Sequence, residues 1–509
     1  MLKNIKEPKR KYALYIFQFL TVSARPLSVQ ELAEVFAISS DEEPAGIPEF
    51  DQSRRESDAE LAVRTACSSL VSIDDVDGEK RVRFSHFSVQ EFLTSNKLGS
   101  LLPIYHVVPR LAHIFCAKVC LSVLLKLNGR IPKDRVKAMF PLANYAAEHW
   151  VYHVNSGDAS SLVQLEGGMS RLLDKKKPQF AAWIWVYDID NPSGPHLVHD
   201  YAQKPGTSPL YYAALCGFLN MVEDLAKSYP DDVNTRGRDG RTPLHAALRN
   251  GHSDVALALL EKGANPNAQD DGGEAPLHIA SRLGDTEAME VLFNHQAELD
   301  AKNKKNENPL SLASSIGRME AVELLLRRRP DLVKKQDALK RTALHVAAIR
   351  GQKPIAQLLL DKGADIDAED EKRRTPLHLA ADQGKDDIAR LLLQRGAKVN
   401  VRDESELTPL HLASLGGQLE VAELLLEDAR TKVNGRDVDG WTALHMAAYI
   451  GYIQVAHLLI QGGANFDHKN DEGNTPLDVA LANRHTAIAN LLAASQQAYQ
   501  EHTLIISVG

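Results

Sequence analysis

Two histidines one helical turn apart, His149 and His153, have the spacing with which a helix presents a pair of imidazoles to one metal ion. No third ligand accompanies them in sequence, so no metal is expected there. Six more, His245, His278, His345, His378, His411 and His445, recur at a fixed interval. One per repeating unit, they stand too far apart to share a tetrahedral ion, and Tyr211, Ser311 and Asp478 in the same place show that the position tolerates non-ligands. Four cysteines, Cys67, Cys116, Cys120 and Cys216, are too few and scattered for a disulfide framework and lack the CxxC pairs of a zinc site, which fits a reducing compartment. The chain contains no GxSxG, no HExxH and no GxxxxGK[ST]. A nucleophile elbow, a zincin pair and the backbone cradle of a triphosphate are therefore all missing. No catalytic residue is assigned and no cofactor is expected.

The elements around these residues repeat. SPLYYAALCG at 208 is followed by TPLHAALRNG at 242, APLHIASRLG at 275, NPLSLASSIG at 308 and TALHVAAIRG at 342. TPLHLAADQG at 375, TPLHLASLGG at 408, TALHMAAYIG at 442 and TPLDVALANR at 475 complete nine blocks spaced 33 or 34 residues apart. Each block precedes a second apolar helix pattern, such as VALALLEKGANPN or IAQLLLDKGADID. The series resembles the ankyrin repeat, over about residues 200 to 495. Thr242, Thr342, Thr375, Thr408, Thr442 and Thr475 stand where a helix N-cap is wanted, worth about 1 kcal/mol each. Pro243, Pro376 and Pro409 follow at the first helical position, where the missing N–H costs nothing. A glycine closes each first helix except in the ninth block, where Arg484 stands instead, as suits a capping repeat.

Upstream, residues 11 to about 97 predict helix, helix, acidic loop, helix, hairpin and helix. The loop DEEPAGIPEFDQSRRES at 41 to 57 is expected to be mobile, and the hairpin turns at Asp77-Gly78. Such a helical domain with a β wing is a winged helix. Residues 101 to 190 predict an all-helical connector. The opening basic residues and the run YALYIFQFL mimic a signal peptide, but Gln18 and the continuous passage into RPLSVQELAEVFA favour a helix that needs a packing partner. No run of 18 apolar residues predicts a membrane span.

RPLSVQELAEVFA, RVRFSHFSVQEFLTS, FPLANYAAEHWVYH and SPLYYAALCGF, in this order, resemble the C-terminal two thirds of fungal NACHT-ankyrin proteins with a winged helix of the GPI-inositol-deacylase type. The resemblance implies a signalling NTPase switch built of nucleotide domain, winged helix and repeat sensor. It also implies that YAAEHWVYH is a packing motif and that His86, in FSHFSVQEFL, senses nucleotide. That role requires an NTPase, which would have to come from a NACHT domain missing from this chain or supplied by another.

Composition narrows the remaining partners. Of 509 residues 44% are hydrophobic and 25% charged, values of a soluble globular protein, and 59 Lys and Arg against 67 Asp and Glu give a net charge of -8. Residues 1 to 100 carry 13 Lys and Arg against 16 Asp and Glu, and the third helix of the winged domain offers only Arg64, so nucleic acid is not expected as a partner. Another protein is. The repeat core does not dictate hairpin tips and first-helix ends, which are free to recognise a partner on the concave surface. In the seventh and eighth blocks these positions hold Leu407, Leu415, Val438, Asp439, Trp441, Tyr449 and Ile450, an apolar patch with aromatic anchors. In the second, fifth and sixth they hold Arg238, Arg241, Arg249, Arg341, Arg350 and Arg374, a stripe suited to an acidic segment.

The sequence thus predicts a mainly α protein: winged helix domain at 1–100, helical connector at 101–199, nine ankyrin repeats forming a solenoid at 200–495 and a C-terminal tail at 496–509. It predicts a non-enzymatic interaction adaptor, intracellular and cytoplasmic with the nucleus as the alternative, that binds neither membrane nor nucleic acid. Regulation of a NACHT NTPase switch is the alternative function. A third reading, an enzyme in the connector around His149 and Trp150, would need a well-formed polar pocket there.

Overall fold

Capping residues and glycines at fixed spacing dictate where the helices begin and end, and the computed structural model places them accordingly. It describes residues 2–42, 46–127, 131, 133–157, 159–192 and 207–508. The expected boundary between connector and repeats, at 199–200, lies outside the described residues. The chain forms two compact units, Met1–Ala264 and Asn265–Gly509.

In the first unit, α1 (Arg10–Val22) buries Ile16, Phe17 and Phe19. The signal-like run is thus core. β1 (Leu27–Ser28) leads into α2 (Val29–Ala33) through a capping box: the Glu31 N–H donates to Ser28 Oγ at 3.2 Å and the Ser28 N–H to the Glu31 carboxylate at 2.8 Å. Arg25 forks onto that carboxylate at 2.6 and 3.0 Å. The stretch 41–57 differs from the mobile loop expected of it. β2 (Ile38–Glu42) pairs antiparallel with β3 (Pro48–Phe50), and residues 43–45 lie outside the described residues. The reason is apolar: Ile47 and Phe50 are buried, and Arg55 behind them reaches Glu34 at 2.7 Å.

After α3 (Ala59–Cys67), β4 (Val71–Val76) and β5 (Glu79–Phe84) form the wing, with Ile73 opposite Val82. Asp77 and Gly78 both take positive φ, 54° and 79°, the type I′ geometry that matches strand twist. β1 adds to the far edge of β5. Two short helices, α4 (Phe87–Thr94) and α5 (Asn96–Leu101), close the domain.

The connector consists of α6 (Pro109–Lys126), α7 (Lys133–Met139), α8 (Ala143–Asn155), α9 (Ala159–Leu172) and α10 (Pro178–Val186). Trp150 and Trp183 meet edge to face at 5.1 Å in its core, and the Trp183 indole donates to the Ala147 carbonyl. The first two repeats, α11 (Pro209–Cys216) with α12 (Leu219–Ser228) and α13 (Pro243–Arg249) with α14 (Ser253–Glu261), belong to the same unit. The Tyr211 and Tyr212 hydroxyls bind Asp190 and Asp188 at the end of the connector, at 2.9 and 2.7 Å.

The second unit holds repeats three to nine, each a pair of helices preceded by a hairpin tip. Successive first helices pack side by side, as do successive second helices. The first helices of repeats five to nine open at their predicted threonine N-caps, those of repeats three to eight bury their leucine and small residues, and a left-handed glycine closes most of them, Gly351 at φ 71° for example. At the corresponding place in the ninth repeat Arg484 takes φ 62°, a left-handed conformation that costs a side chain about 1 kcal/mol or more. The last helix runs from Thr486 to Val508, through the stretch expected as a tail. Among the described residues no helix is long and apolar enough to cross a membrane.

Candidate partner-binding surface

Every tip in the second unit is built on one side chain. In the fifth repeat Asp337 Oδ1 accepts the N–H groups of Leu339 and Arg341, both at 2.9 Å. Asp370 does the same for Lys372 and Arg374, Asp403 for Ser405 and Leu407, and Asp437 for Asp439 and Trp441. A short carboxylate that binds its own downstream amides fixes a turn. It also holds the fourth tip residue left-handed even where that is Lys340, Arg373 or Glu406. The sequence reading passed over these aspartates. Their signal is an Asp or Asn recurring five residues before the N-cap.

The repeated histidines hold the tips from beneath. His378 Nε2 lies 3.1 Å from the Leu407 carbonyl of the next repeat, and His278, His345, His411 and His445 reach the next repeat likewise. A carbonyl only accepts, so Nε2 carries the proton. Nδ1 is then an acceptor, and it takes the Thr375 N–H at 3.1 Å and the Thr375 hydroxyl at 2.9 Å. Burial lowers the pKa of all five rings below the usual histidine value, which favours this neutral tautomer. In the ninth repeat Asp478 takes the histidine's place, and its carboxylate accepts from Thr475.

The tips are also tied to one another. The Glu404 N–H donates to the Lys372 carbonyl (2.9 Å), Val438 to Ser405 (3.3 Å) and Asp471 to Asp439 (3.0 Å). The tip and the first-helix end of a repeat form one surface: Trp441 meets Tyr449 edge to face at 5.5 Å, and Glu274 binds Arg282.

On that surface Val438 is 55% exposed, Tyr449 47% and Ile450 37%, with Leu415 and Asp439 exposed beside them. Trp441 and Leu407 are half-buried. These seven residues come from the adjacent seventh and eighth repeats. The arginines are placed differently. Arg341 is bound to Asp337 at 2.7 Å and Arg374 to Asp370 at 2.9 Å, both half-buried and paired within their own tip. In the first unit Arg241 and Arg238 approach Asp239, at 3.0 and 3.9 Å, and Arg249 approaches Asp190 at 3.6 Å. Arg350 is exposed, with no ion pair among the described residues.

His86 caps α4: its Nδ1 accepts the Ser88 N–H at 3.2 Å and lies 2.7 Å from Ser88 Oγ. The ring is exposed beside Phe87, itself 68% exposed. His153 is buried, with Nε2 2.8 Å from the Tyr145 hydroxyl and Nδ1 3.0 Å from His113 Nδ1. Both nitrogens are thus engaged, and burial pushes its pKa down to about 3. Among the described residues no group of three His, Cys, Asp or Glu is placed to hold a metal ion. A cavity of about 420 Å³ nearby is lined by Thr21, Gln90, Thr94, His113 and Tyr152. Gln90 and Thr94 spend their donors on main-chain carbonyls.

Comparison with known proteins agrees with this architecture. The model for ankyrin repeats matches residues 185–270, 264–336, 310–403, 364–437 and 410–502, and that for the GPI inositol-deacylase winged helix domain matches residues 1–104. Azaphilone pigments biosynthesis cluster protein L of Monascus ruber is 30% identical over 268 residues, 49% of this chain and 55% of that protein. Alpha-latrocrustotoxin-Lt1a of Latrodectus tredecimguttatus is 46% identical over 66 residues, 13% of this chain and 5% of the toxin. Protein phosphatase 1 regulatory subunit 27 of Mus musculus is 38% identical over 72 residues, 14% of this chain and 46% of the subunit. The chain spans little more than half the length of the first of these relatives and less of the other two.

Proposed function

The chain belongs to the ankyrin-repeat family, and from that premise we propose that it is a non-enzymatic adaptor that grips a partner protein on the tip and first-helix face of its repeats. Ankyrin repeats serve protein interaction in general. The observation that carries the finer reading is the contact of half-buried Trp441 with exposed Tyr449, flanked by exposed Val438 and Ile450. Rigid aromatics held at fixed spacing lose little conformational entropy on docking and dominate interface energies. Trp441→Ala with Tyr449→Ala should abolish recovery of the partner by affinity purification and mass spectrometry while circular dichroism stays that of the wild type. Undiminished recovery would reject the face. The four cysteines are free and buried, which supports a reducing compartment inside the cell, cytoplasm or nucleus.

A second reading is favoured by the winged-helix match and by what that domain exposes. Phe87 and Phe92 on α4 and Leu101 on α5 are 68%, 42% and 63% exposed, and the Phe87 ring lies 4.6 Å from that of His86. In this reading the domain docks onto a NACHT NTPase, in the same gene product or another, and His86 lies at the nucleotide. Purified NTPase that binds ADP equally well with His86→Ala would overturn it.

A further inference from the structure

From the fourth repeat to the ninth the row of tips changes sign once; the third tip, 270–274, stands before that stretch and is acidic, with Asp270, Asp271 and Glu274. The tips 303–307, 337–341 and 370–374 expose Lys304, Lys305, Lys340 and Lys372, none held by an ion pair among the described residues, against one exposed carboxylate in the same state, Glu371, beside which Arg373 is also exposed. The tips 403–407, 437–441 and 470–474 contain no Lys or Arg at all. They expose Glu404, Asp439 and Glu472, equally without ion pairs among the described residues. Glu406 is held by Arg402 and Asp471 by Arg436, so those two carboxylates are partly neutralised. The Trp441–Tyr449 pair lies on the acidic half, and main-chain hydrogen bonds from tip to tip join the two halves across Lys372 and Glu404.

We infer that the partner presents a charge-segregated segment: an acidic stretch over repeats four to six, and an apolar anchor flanked by Lys or Arg over repeats seven to nine. This rests on the docking face proposed above. A uniformly acidic segment would meet Glu404, Asp439 and Glu472, and a uniformly basic one would meet the four lysines. Like-charge contacts at an interface are disfavoured, so the surface fixes both composition and direction of its occupant. Packed helices about 8–10 Å apart put six tips over roughly 40–50 Å, which about 12–15 residues of extended chain can follow.

The test is selection from a phage-displayed library of random peptides, about 15 residues long to match that extended span, against the full chain. It is repeated on three variants: Lys340→Glu with Lys372→Glu, Glu404→Lys with Asp439→Lys, and Trp441→Ala with Tyr449→Ala. The expected winners carry Asp or Glu at one end and Lys or Arg beside a large apolar residue at the other. Each charge-reversed variant should invert the preference at its own half only and weaken a wild-type winner roughly tenfold at low salt. Winners whose acidic and basic residues are not segregated to opposite ends, winners unaffected by either reversal, or no enrichment would overturn the inference. If unsegregated winners are lost on the double alanine variant, the docking face stands and only the charge-segregated partner falls. If winners bind that variant as well as the wild type, the face itself falls.

Discussion

The sixth and eighth repeats share one turn chemistry and present opposite surfaces. In both, an aspartate at the first tip position binds the amides of the third and fifth tip residues. In the sixth the fifth residue is Arg374, which folds back onto the same carboxylate and cancels its charge. In the eighth it is Trp441, which cannot, and which leans on Tyr449 and leaves an apolar edge towards solvent. The scaffold is constant, and a single residue at the end of the tip decides whether the repeat shows an ion pair or an anchor. Counting arginines at tip positions therefore overstates the basic surface, because two of them belong to their own turns. The lysines one or two residues earlier are the ones left to meet a partner.

Acid should break the feature both tips stand on. The histidines that reach these two repeats from beneath, His345 and His411, are neutral when folded and have lowered pKa values, as do the other repeat histidines, so an unfolded chain binds more protons below the ordinary histidine value near 6.5. Stability is full above that value and is lost as pH falls from it towards the folded value, by up to about 1.4 kcal/mol per pH unit for each ring. Urea midpoints at pH 7 and pH 5 should differ by the equivalent of several kcal/mol in total, and a pH-independent midpoint would contradict the tautomer assignment.

Removing the scaffold one tip at a time sharpens the comparison. Asp370→Ala orphans two amides and the Arg374 guanidinium and should cost about 3 kcal/mol; Asp437→Ala orphans amides alone and should cost about 2 kcal/mol. Denaturant titration reads the difference. Trp441→Arg would turn the eighth tip into a copy of the sixth. Stability should stay within about 1 kcal/mol, since the new Arg finds Asp437, while partner affinity falls at least tenfold in a calorimetric titration. Arg374→Gln should have the smallest effect, under about 1 kcal/mol of stability at its partly exposed ion pair and no measurable change in binding.

The repeat architecture was legible because nine blocks recur in register and most of them place Thr, Pro and Gly where a helix must start or stop. The wing was legible from Asp77-Gly78, a dipeptide suited to positive φ. What stayed hidden were pairings the chain makes by folding back. Nothing local in Arg341 or Arg374 distinguishes a solvated cation from one bound four residues upstream. The link from His378 to Leu407 spans 29 residues, so the sequence argued against a metal at these histidines without giving their partner in the next repeat. Phe50 was read within an acidic loop because charge dominates residues 41–57, yet two apolar side chains sufficed to pin a strand. For the candidate surface, the exposed aromatic and aliphatic positions were visible, and the aspartates that aim them were not.

The hydrogen bonds that stitch the tips of repeats five to nine make that part of the row a ruler with a fixed pitch. Independent loops would each shift to suit an incoming group. Tied peptide groups share any displacement, so a ligand whose charges are correct in kind but wrongly spaced must bend itself instead of the protein. Selectivity then resides as much in distance as in chemistry, and evolution can retune it by changing tip side chains without disturbing the gauge on which they are mounted.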